Sequence, residues 1–311
     1  SGASVSSGVV RLYNTEGAYA ALKSDGSVVS INKNINNRYP ANFTITSGIV
    51  KVLGGRGDIF AIDGSGALVA WETTNPFLSF STLYPSTASL SSGVVEVYSN
   101  WGNAHLALKS DGSIVTFGGL FGGASAGDNH VGVTFNAITA GRTSWAGIDT
   151  SGGIVLINNG EPIYNPYSVS LTSGWVKIIE VNGWYFCALR NDGAVVTWRD
   201  PYASNQYAGN PSDNPYATRY PSGINMGSGS GIVNIYDLGI VGFAAITSSG
   251  QLIRWGGGSY SNNLYSGTSG TSVTSGVVDV CAALGTAVAL KSDGSVFIWG
   301  RDVPTGGTAF T

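Results

Sequence analysis

The chain has 311 residues, a formal net charge of −3 and a pI near 5.3, and only 11% of its residues are charged. This composition argues against a nucleic-acid-binding protein, because neutralising phosphates requires a basic surface. No run of eighteen apolar residues occurs, since Asp237 and Asp279 interrupt the two best candidates. We therefore expect a soluble chain without membrane insertion.

The sequence is built from seven repeats, each centred on a turn glycine. A small residue stands five positions before each of these glycines, an aliphatic residue four before and another two after, and Ile, Phe or Trp five after. The glycines are Gly26, Gly66, Gly112, Gly152, Gly193, Gly250 and Gly294. Their spacing of 40 to 57 residues is typical of propeller blades.

The first repeat shows the predicted secondary structure of all seven. Val9–Tyr13, Tyr19–Lys23 and Val28–Ile31 are short β-branched or apolar runs, and Asp25-Gly26 separates the last two. Asp-Gly between apolar runs predicts a tight hairpin in which both turn residues have positive φ. A Ser-Gly phrase precedes the first strand of every repeat except the fourth, where it is blurred at Gly132–Phe135.

These patterns predict an all-β fold, a seven-bladed β-propeller of antiparallel meander blades forming a single domain over residues 1–311. An open array would leave its first and last blades with exposed edges. Residues 4–6 ("SVS") stand where "TIT" stands at 44–46 and "SVT" at 272–274. We therefore predict that the N-terminal segment closes the fold by pairing with the last blade.

The repeats resemble those of a known family. "HLALKSDGSIVTFGG" at 105–119, "CALRNDGAVVTW" at 187–198 and "AITSSGQLIRWGG" at 245–257 resemble the repeat of the regulator of chromosome condensation family, whose members form seven-bladed propellers. The family's Gly-Gln-Leu-Gly segment is missing from all seven repeats. The compact repeat is more similar to secreted microbial variants, such as propeller-type β-lactamase inhibitors, and this similarity implies binding by loops rather than catalysis.

Several features bear on location. The neutral polar composition favours an extracellular or cell-surface protein, and Asn42-Phe43-Thr44 is a glycosylation sequon that matters only for secretion from a eukaryote. Cys187 and Cys281 stand two repeats apart, so we predict two buried free thiols rather than a disulfide. The sequence begins at Ser1 rather than at a methionine. A removed signal peptide, a longer precursor or a cloning boundary would each explain this start.

Signatures of catalysis and metal binding are weak, so we predict no enzyme, cofactor or metal. Gly123–Gly127 fits G-x-S-x-G but lies in a Gly/Ser-rich loop, where the strand, turn and helix of a nucleophile elbow are missing. Only His105 and His130 are available for a triad or a metal site. The repeated aspartates Asp25, Asp111, Asp192 and Asp293 are interpreted as turn formers. Arg56-Gly57-Asp58 matches an integrin-binding tripeptide, which we interpret as coincidence.

Candidate binding residues lie in the loops that differ between repeats. The segment 199–228 is rich in Tyr, Asn, Ser and Gly, a composition typical of binding loops. The loops between first and second strands add aromatic residues in repeats three, four and five. The candidates are Trp101, Trp145, Trp184, Tyr185, Tyr202, Tyr207, Tyr216 and Tyr220. In the alternative interpretation, Trp145 packs between blades while Trp101 and Trp184 only cover the rim.

The leading hypothesis is a non-enzymatic extracellular module that binds a protein partner or neighbouring copies of itself through these loops. The alternative is a lectin that holds a glycan in pockets at the blade loops. The third hypothesis is an enzyme with acidic residues in a central channel. It ranks last because no facing pair of carboxylates can be inferred from the spacing of the sequence. Fold alone does not decide among the three.

Overall fold

The computed structural model describes most of the strands and the turns between them. The described residues are 6–14, 18–32, 44–45, 47–54, 59–71, 90–100, 104–118, 133–157, 168–181, 183, 185–200, 224–239, 242–256, 273, 275–283, 286–300 and 308–310. The chain divides into two compact units, Ser1–Thr134 and Phe135–Thr311. The prediction of a single domain over 1–311 stays a prediction.

The first unit contains three antiparallel sheets. Sheet 1 consists of β1 (Val9–Asn14), β2 (Ala18–Lys23), β3 (Val28–Asn32) and β4 (Thr44–Ile45). Sheet 2 consists of β5 (Ile49–Gly54), β6 (Ile59–Asp63) and β7 (Leu68–Trp71). Sheet 3 consists of β8 (Val94–Ser99), β9 (Ala104–Lys109) and β10 (Ile114–Gly118).

The second unit contains four antiparallel sheets. Sheet 4 consists of β11 (Phe135–Ala140), β12 (Trp145–Asp149) and β13 (Ile154–Ile157). Sheet 5 consists of β14 (Trp175–Val181), β15 (Tyr185–Arg190) and β16 (Val195–Arg199). Sheet 6 consists of β17 (Ile232–Asp237), β18 (Gly242–Thr247) and β19 (Leu252–Gly256). Sheet 7 consists of β20 (Val277–Ala283), β21 (Thr286–Lys291), β22 (Val296–Gly300) and β23 (Thr308–Phe310).

The described part of the chain is all-β, and its seven sheets have the meander order and the repeat boundaries that the sequence predicts. Seven sheets of three or four strands fit the seven blades of a β-propeller. The predicted fold class is therefore confirmed. No helix in the described residues is long and apolar enough to cross a membrane.

The hairpin turn between second and third strands is the same in all seven sheets, but its type differs from the prediction. Each turn glycine donates its N–H to the carbonyl three residues before it, as Gly26 does to Lys23 at 2.9 Å. All seven glycines have φ between 75° and 89°, whereas the one described non-glycine residue with positive φ is Ser168. The turn is thus a type I turn followed by a left-handed glycine, in which the preceding aspartate keeps an ordinary φ.

Aspartate stabilises this turn from either of two positions. Asp111 precedes the glycine, and its Oδ1 accepts from the backbone N (2.9 Å) and Oγ (2.6 Å) of Ser113. In sheet 2 the carboxylate stands earlier, and Asp63 Oδ1 accepts from Ser65 and from Ala67 N at 2.9 Å. These bonds hold the pKa of Asp111 and Asp63 below the ordinary value, chiefly through the serine hydroxyl. The interpretation of the aspartates as turn formers is confirmed.

The same turn attaches each sheet to the next one in the chain within a unit. Val277 N donates to Gly250 O at 3.0 Å, and Val94 N donates to Gly66 O at 2.9 Å. A Cβ at Gly250 would lie 2.4 Å from Gly276 N, so a side chain has no room there. The turn glycine and the following Ser-Gly phrase therefore meet in a backbone contact between sheets. Between sheets 5 and 6, Ser230 Oγ donates to Gly193 O at 2.6 Å instead.

Every first strand begins with a β-bulge. The pairing of β1 with β2 skips one residue between Val9 and Arg11, and the other six first strands skip the equivalent residue. An extra residue at a bulge is not paired with the neighbouring strand. Six of these residues are exposed valines: Val10, Val50, Val95, Val176, Val233 and Val278.

The core of each unit lies between successive sheets. Sheet 5 shows this clearly, because Tyr185–Leu189 of its middle strand are all buried. One face of this strand packs against Ala146 and Ile148 of sheet 4, and on this face Phe186 stacks on Trp198 of the same sheet with ring centroids 5.3 Å apart. The other face packs against sheet 6 around Phe243 and Trp255. Burying large side chains on both faces contributes about 1.5–3 kcal/mol for each of them.

Two predictions about the end of the chain need correction. The strand paired with β22 is β23, with Val296 opposite Phe310, whereas the N-terminal segment was predicted to take this place. Only residues 301–307 separate β22 from β23, so pairing as a hairpin costs little loop entropy.

Both cysteines are free as predicted, but Cys281 is exposed rather than buried. On β20 the core-facing residues are Val277 and Val280, which leaves Cys281 on the outer side.

Candidate functional site

The candidate site lies in the second unit, at the sheet ends opposite the hairpin turns. In each sheet this end carries the loop between first and second strands and the end of the third strand. We call this region of sheets 4, 5 and 6 the variable rim, and define it by the described residues 141–144, 180, 181, 183, 200 and 237–239. Here the sequence differs from sheet to sheet, whereas the hairpin end repeats.

Asp200, directly after β16, is the most heavily bonded side chain of the variable rim. It is fully buried, and its carboxylate accepts four hydrogen bonds from the loop of the neighbouring sheet. Thr143 donates from N (2.9 Å) and Oγ1 (2.6 Å), and Ser144 donates from N (3.0 Å) and Oγ (2.8 Å). Hydrogen bonds to a buried charge are among the stronger polar interactions in proteins. Asp200 therefore fixes the loop of sheet 4 against sheet 5.

The loops of sheets 4 and 5 also touch directly. Arg142 N donates to Gly183 O at 2.7 Å. A Cβ at Gly141 would lie 2.5 Å from the Phe186 ring and 2.7 Å from Asp200 Oδ2. Only glycine permits such close packing at this position. The two loops therefore form one continuous surface beside Asp200.

Two further carboxylates bind the loops of sheets 5 and 6. Gly183 N donates to Glu180 Oε1, and Gly239 N donates to Asp237 Oδ1 at 2.6 Å. Burial raises the pKa of Glu180 to about 8, with additional repulsion from Asp237 and Asp200. Burial also raises the pKa of Asp237, against the opposing effect of the Gly239 hydrogen bond. The variable rim thus gathers three carboxyl groups, and for Glu180 and Asp237 the surroundings disfavour the charged form.

Sheet 3 of the first unit uses an amide one position further along the chain than Glu180 and Asp237. Asn100, directly after β8, is 1% exposed, and its Oδ1 accepts from Ala104 N at 3.0 Å. Asn100 N also donates to Ala104 O at 3.0 Å. A polar side chain that binds the backbone of its own loop is therefore common to sheets 3, 5 and 6, while sheet 4 is bound by Asp200 of the next sheet.

A second polar cluster links the first strands of sheets 5, 6 and 7. Lys177 Nζ donates to Asn234 Oδ1 (2.7 Å) and Ile235 O (2.9 Å), and it lies 5.2 Å from the Tyr236 ring centroid. Asn234 Nδ2 donates to Tyr236 Oη at 2.8 Å. Burial lowers the pKa of Lys177, with Asp279 acting in the opposite direction. Lys51 has a similar role in the first unit, where it pairs with Glu96. These contacts connect neighbouring sheets.

Of the predicted binding residues, the structure describes only two, and both are buried. Trp145 is 1% exposed and Tyr185 is 7% exposed, so neither offers a partner much surface. Each begins a middle strand that is covered on both faces. The alternative interpretation of Trp145 as an interior residue agrees with the structure. The other candidates lie outside the described residues: Trp101, Trp184, Tyr202, Tyr207, Tyr216, Tyr220, Asn42 and Arg56-Gly57-Asp58.

The described histidine belongs to the core. His105 is 5% exposed and packs beside Phe60 and Phe117, with ring centroids 4.7 Å and 5.2 Å away. Its Nδ1 lies 2.9 Å from Ser99 Oγ. His130 lies outside the described residues. Among the residues that the structure describes, no group of three or more His, Cys, Asp or Glu side chains could hold a metal ion.

Sequence reasoning missed Asp200, Glu180 and Asp237, although one signal for Asp200 was present. Seven residues after each turn glycine, only the fifth repeat has a carboxylate. The seven residues are Lys33, Thr73, Gly119, Asn159, Asp200, Gly257 and Arg301. A carboxylate at a position where the other six repeats have none, directly before a variable segment, is therefore the signal that the sequence offers for this anchor. The pairing with Thr143 and Ser144 joins different repeats and is visible only in the structure.

No family model and no curated protein matches the sequence. Solved structures similar to this chain include the CRINKLY WD40 ectodomain of the Arabidopsis thaliana receptor kinase ACR4, at 12% identity and a TM-score of 0.44, covering 97% of each chain. The ectodomain of the Physcomitrella patens receptor kinase CR4 is 14% identical with a TM-score of 0.44, covering 80% of this chain and 62% of its own. Prp20p from Saccharomyces cerevisiae is 12% identical with a TM-score of 0.39, covering 94% and 72%.

Proposed function

We propose that this chain is a non-enzymatic binding or assembly module that contacts a protein partner, or neighbouring copies of itself, through the variable rim and the Tyr-rich segment that begins there. One observation carries the proposal. Asp200 binds the loop of sheet 4 and is also the residue from which the segment 201–223 starts. A variable binding segment needs a fixed starting point, and the hydrogen-bonded Asp200 supplies one.

The far end of the same segment is also held. Met226 is fully buried, and its carbonyl accepts from Val195 N at 2.8 Å, while Ile224 packs against the core between sheets 5 and 6. Fixing both flanks lowers the entropy lost when a loop binds. Tyrosine adds large contact area at low entropy cost, and Asn and Ser add adaptable hydrogen bonds. These features support binding rather than catalysis.

The test uses a variant in which the aromatic candidates beside the anchors are removed. Trp184→Ala, Tyr202→Ala and Tyr207→Ala are combined, and native mass spectrometry compares the variant with the unchanged chain, each isolated from the natural source. The proposal expects a co-purifying protein or ordered self-assembly that the triple variant loses. Retention of the same complex by the variant would sink the proposal.

A matched control separates this effect from a general loss of surface aromatics. Tyr19 on β2 is 53% exposed in the first unit, and Tyr19→Ala is expected to leave any complex intact. A glycan array run on the same material tests the lectin alternative. Strong binding to one glycan class, unaffected by the triple variant, would favour that alternative over a protein partner.

We also propose an extracellular or cell-surface location. The support is compositional, because a surface with few charges and many Ser, Thr, Asn and Tyr residues suits that environment. Labelling of intact cells with a membrane-impermeant reagent tests this proposal. Labelling only after the cells are lysed would contradict it.

A further inference from the structure

Four hairpin turns have an aspartate directly before the turn glycine, and the residues around that aspartate change together. Three of these turns have lysine three residues before the glycine and serine directly after it, whereas the turn of sheet 5 has Arg190 and Ala194. The aspartates are Asp25, Asp111, Asp192 and Asp293. The joint change from lysine and serine to arginine and alanine indicates that both combinations meet one requirement of the turn.

In both combinations a side chain donates to the aspartate. Ser27 N and Ser27 Oγ donate to Asp25 Oδ1 at 2.9 Å and 2.6 Å, and the turns of sheets 3 and 7 repeat this arrangement. In sheet 5, Ala194 N donates to Asp192 Oδ1 at 3.2 Å, and Arg190 Nε at 2.9 Å replaces the missing hydroxyl. Arg190 Nη2 donates to the other oxygen of Asp192. Each carboxylate thus accepts from one backbone N–H and one neighbouring side chain.

An Asp-Gly bond is chemically reactive, because glycine has no Cβ to shield its backbone nitrogen. The glycine nitrogen attacks Cγ of the neutral carboxyl group, the nitrogen loses its proton, and one carboxyl oxygen leaves as water. Water then opens the resulting succinimide ring at either carbonyl. One opening restores aspartate, and the other gives isoaspartate, in which the main chain runs through Cβ and Cγ. An exposed Asp-Gly turn is therefore a site where the chain can be modified without any enzyme.

We propose that Ser27, its equivalents in sheets 3 and 7, and Arg190 in sheet 5 protect these four Asp-Gly bonds from isomerisation. Both reacting groups are already bound in the turn. Gly26 N–H donates to Lys23 O at 2.9 Å, while the Asp25 carboxylate accepts from Ser27. The serine hydroxyl also lowers the pKa of Asp25, which keeps the neutral, reactive form scarce at neutral pH.

This protection preserves the contacts between sheets. Ile49 N donates to Gly26 O at 3.0 Å, and Ser230 Oγ donates to Gly193 O at 2.6 Å. Isoaspartate adds one atom to the main chain directly before these glycines, so their carbonyls would move away from the donors of the next sheet. One isomerised turn would therefore weaken the attachment of two neighbouring sheets.

The direct test is ageing of the full chain at neutral pH and physiological temperature, followed by peptide mapping of isoaspartate at each of the four turns. Ser27→Ala is expected to raise isoaspartate at Asp25 by about fivefold, the effect of losing one hydrogen bond of ordinary strength. The other three turns are expected to stay unchanged, which separates lost protection from general loosening of the fold. Equal accumulation at Asp25 in Ser27→Ala and in the unchanged chain would overturn the proposal, as would a rise in all four turns.

Sheet 5 allows a rescue experiment. Arg190→Lys removes the bidentate donor where Ala194 offers no hydroxyl, and it is expected to raise isoaspartate at Asp192 by about tenfold. Adding Ala194→Ser recreates the lysine and serine of the other three turns and is expected to lower the accumulation to the level found at Asp25. Failure of this second substitution to lower it would contradict the proposal.

The turn of sheet 6 supplies a matched control, because Ser249 rather than an aspartate precedes Gly250. Ser249→Ala is expected to leave isoaspartate at all four sites unchanged, and a rise at any of them would count against the proposal. The experiment uses the protein alone at the hairpin end, so neither result bears on the proposed binding role of the variable rim.

Discussion

The two ends of the sheets differ in how far their residues and hydrogen bonds repeat. At the hairpin end, seven sheets repeat one turn, with the same backbone hydrogen bond and the same left-handed glycine. At the opposite end, the loops of sheets 3 to 6 are bound in different ways, by Asn100 in sheet 3, by Asp200 for sheet 4, by Glu180 in sheet 5 and by Asp237 in sheet 6. The repeated residues thus form the contact between sheets, whereas the residues that bind the loops differ from sheet to sheet.

The difference also shows in where charge is placed. Turn aspartates at the hairpin end are exposed, and hydrogen bonds from serine lower the pKa of Asp25, Asp111 and Asp293. At the variable rim, Glu180 is partly buried, and this burial raises its pKa. Raised carboxyl pKa values concentrate at sites where function outweighs stability. The following variants test whether the two ends differ in this way.

The largest effect is expected at the hairpin end. Gly250→Ala would place a Cβ 2.4 Å from Gly276 N at a φ of +76°, so it must break the contact between sheets 6 and 7. We expect a loss of about 4 kcal/mol in the free energy of unfolding, measured with urea. Gly294→Ala is the control, because φ is +84° but no described atom lies within 4 Å; it should cost about 1 kcal/mol. Equal losses would show that the turn does not attach one sheet to the next.

The next effect is expected at Asp200. Asp200→Ala leaves the N–H and hydroxyl groups of Thr143 and Ser144 buried without their acceptor. We expect a loss of about 3 kcal/mol in the free energy of unfolding, together with faster amide exchange at residues 141–144. Thr143→Val removes a single hydroxyl donor and should cost about 1 kcal/mol. Unchanged exchange at 141–144 in Asp200→Ala would contradict the anchoring role.

A moderate effect of opposite sign is expected at Glu180. Its pKa lies above the ordinary 4.5, at about 8, so the stability that its neutral form contributes is complete below pH 4.5 and is lost as pH rises toward 8. Glu180→Gln cannot ionise and should raise the free energy of unfolding at pH 8 by about 1–2 kcal/mol. Urea unfolding at pH 4.5 and pH 8 measures this. A variant less stable than the unchanged chain at pH 8 would refute it.

The smallest effect is expected at the turn aspartates. The Ser65 hydroxyl lowers the pKa of Asp63 from the ordinary 3.8, so its contribution is present above pH 3.8 and is lost as pH falls through the lowered value. Asp63→Asn should therefore flatten acid unfolding slightly. Thr247, which accepts from Gln251 N at 3.0 Å in sheet 6, is a neutral equivalent, and Thr247→Val should leave the acid dependence unchanged. An unaltered acid profile in Asp63→Asn would argue against this role.

The sequence predicts the hairpin end far better than the variable rim. Turn glycines, turn aspartates and strand boundaries recur seven times, so each repeat checks the others. The turn type escaped prediction, because Asp-Gly fits both a two-residue turn and a type I turn with a left-handed glycine. At the variable rim, Asp200 meets Thr143 and Ser144 across 57 and 56 residues, and no local pattern reveals such a partner. Variable loops make Trp145 and Tyr185 candidate binding residues, yet both belong to buried middle strands, as the alternative interpretation of Trp145 predicts.

The central claim is that partners contact the variable rim and not the repeated hairpin end. The most direct measurement compares hydrogen exchange of the free chain with that of the complex isolated from the natural source. Protection on binding is expected at residues 141–144, 180–185 and 200–223, with the seven hairpin turns unchanged. Protection at the hairpin turns around Gly26, Gly112 and Gly294, with the variable rim unaffected, would contradict the account.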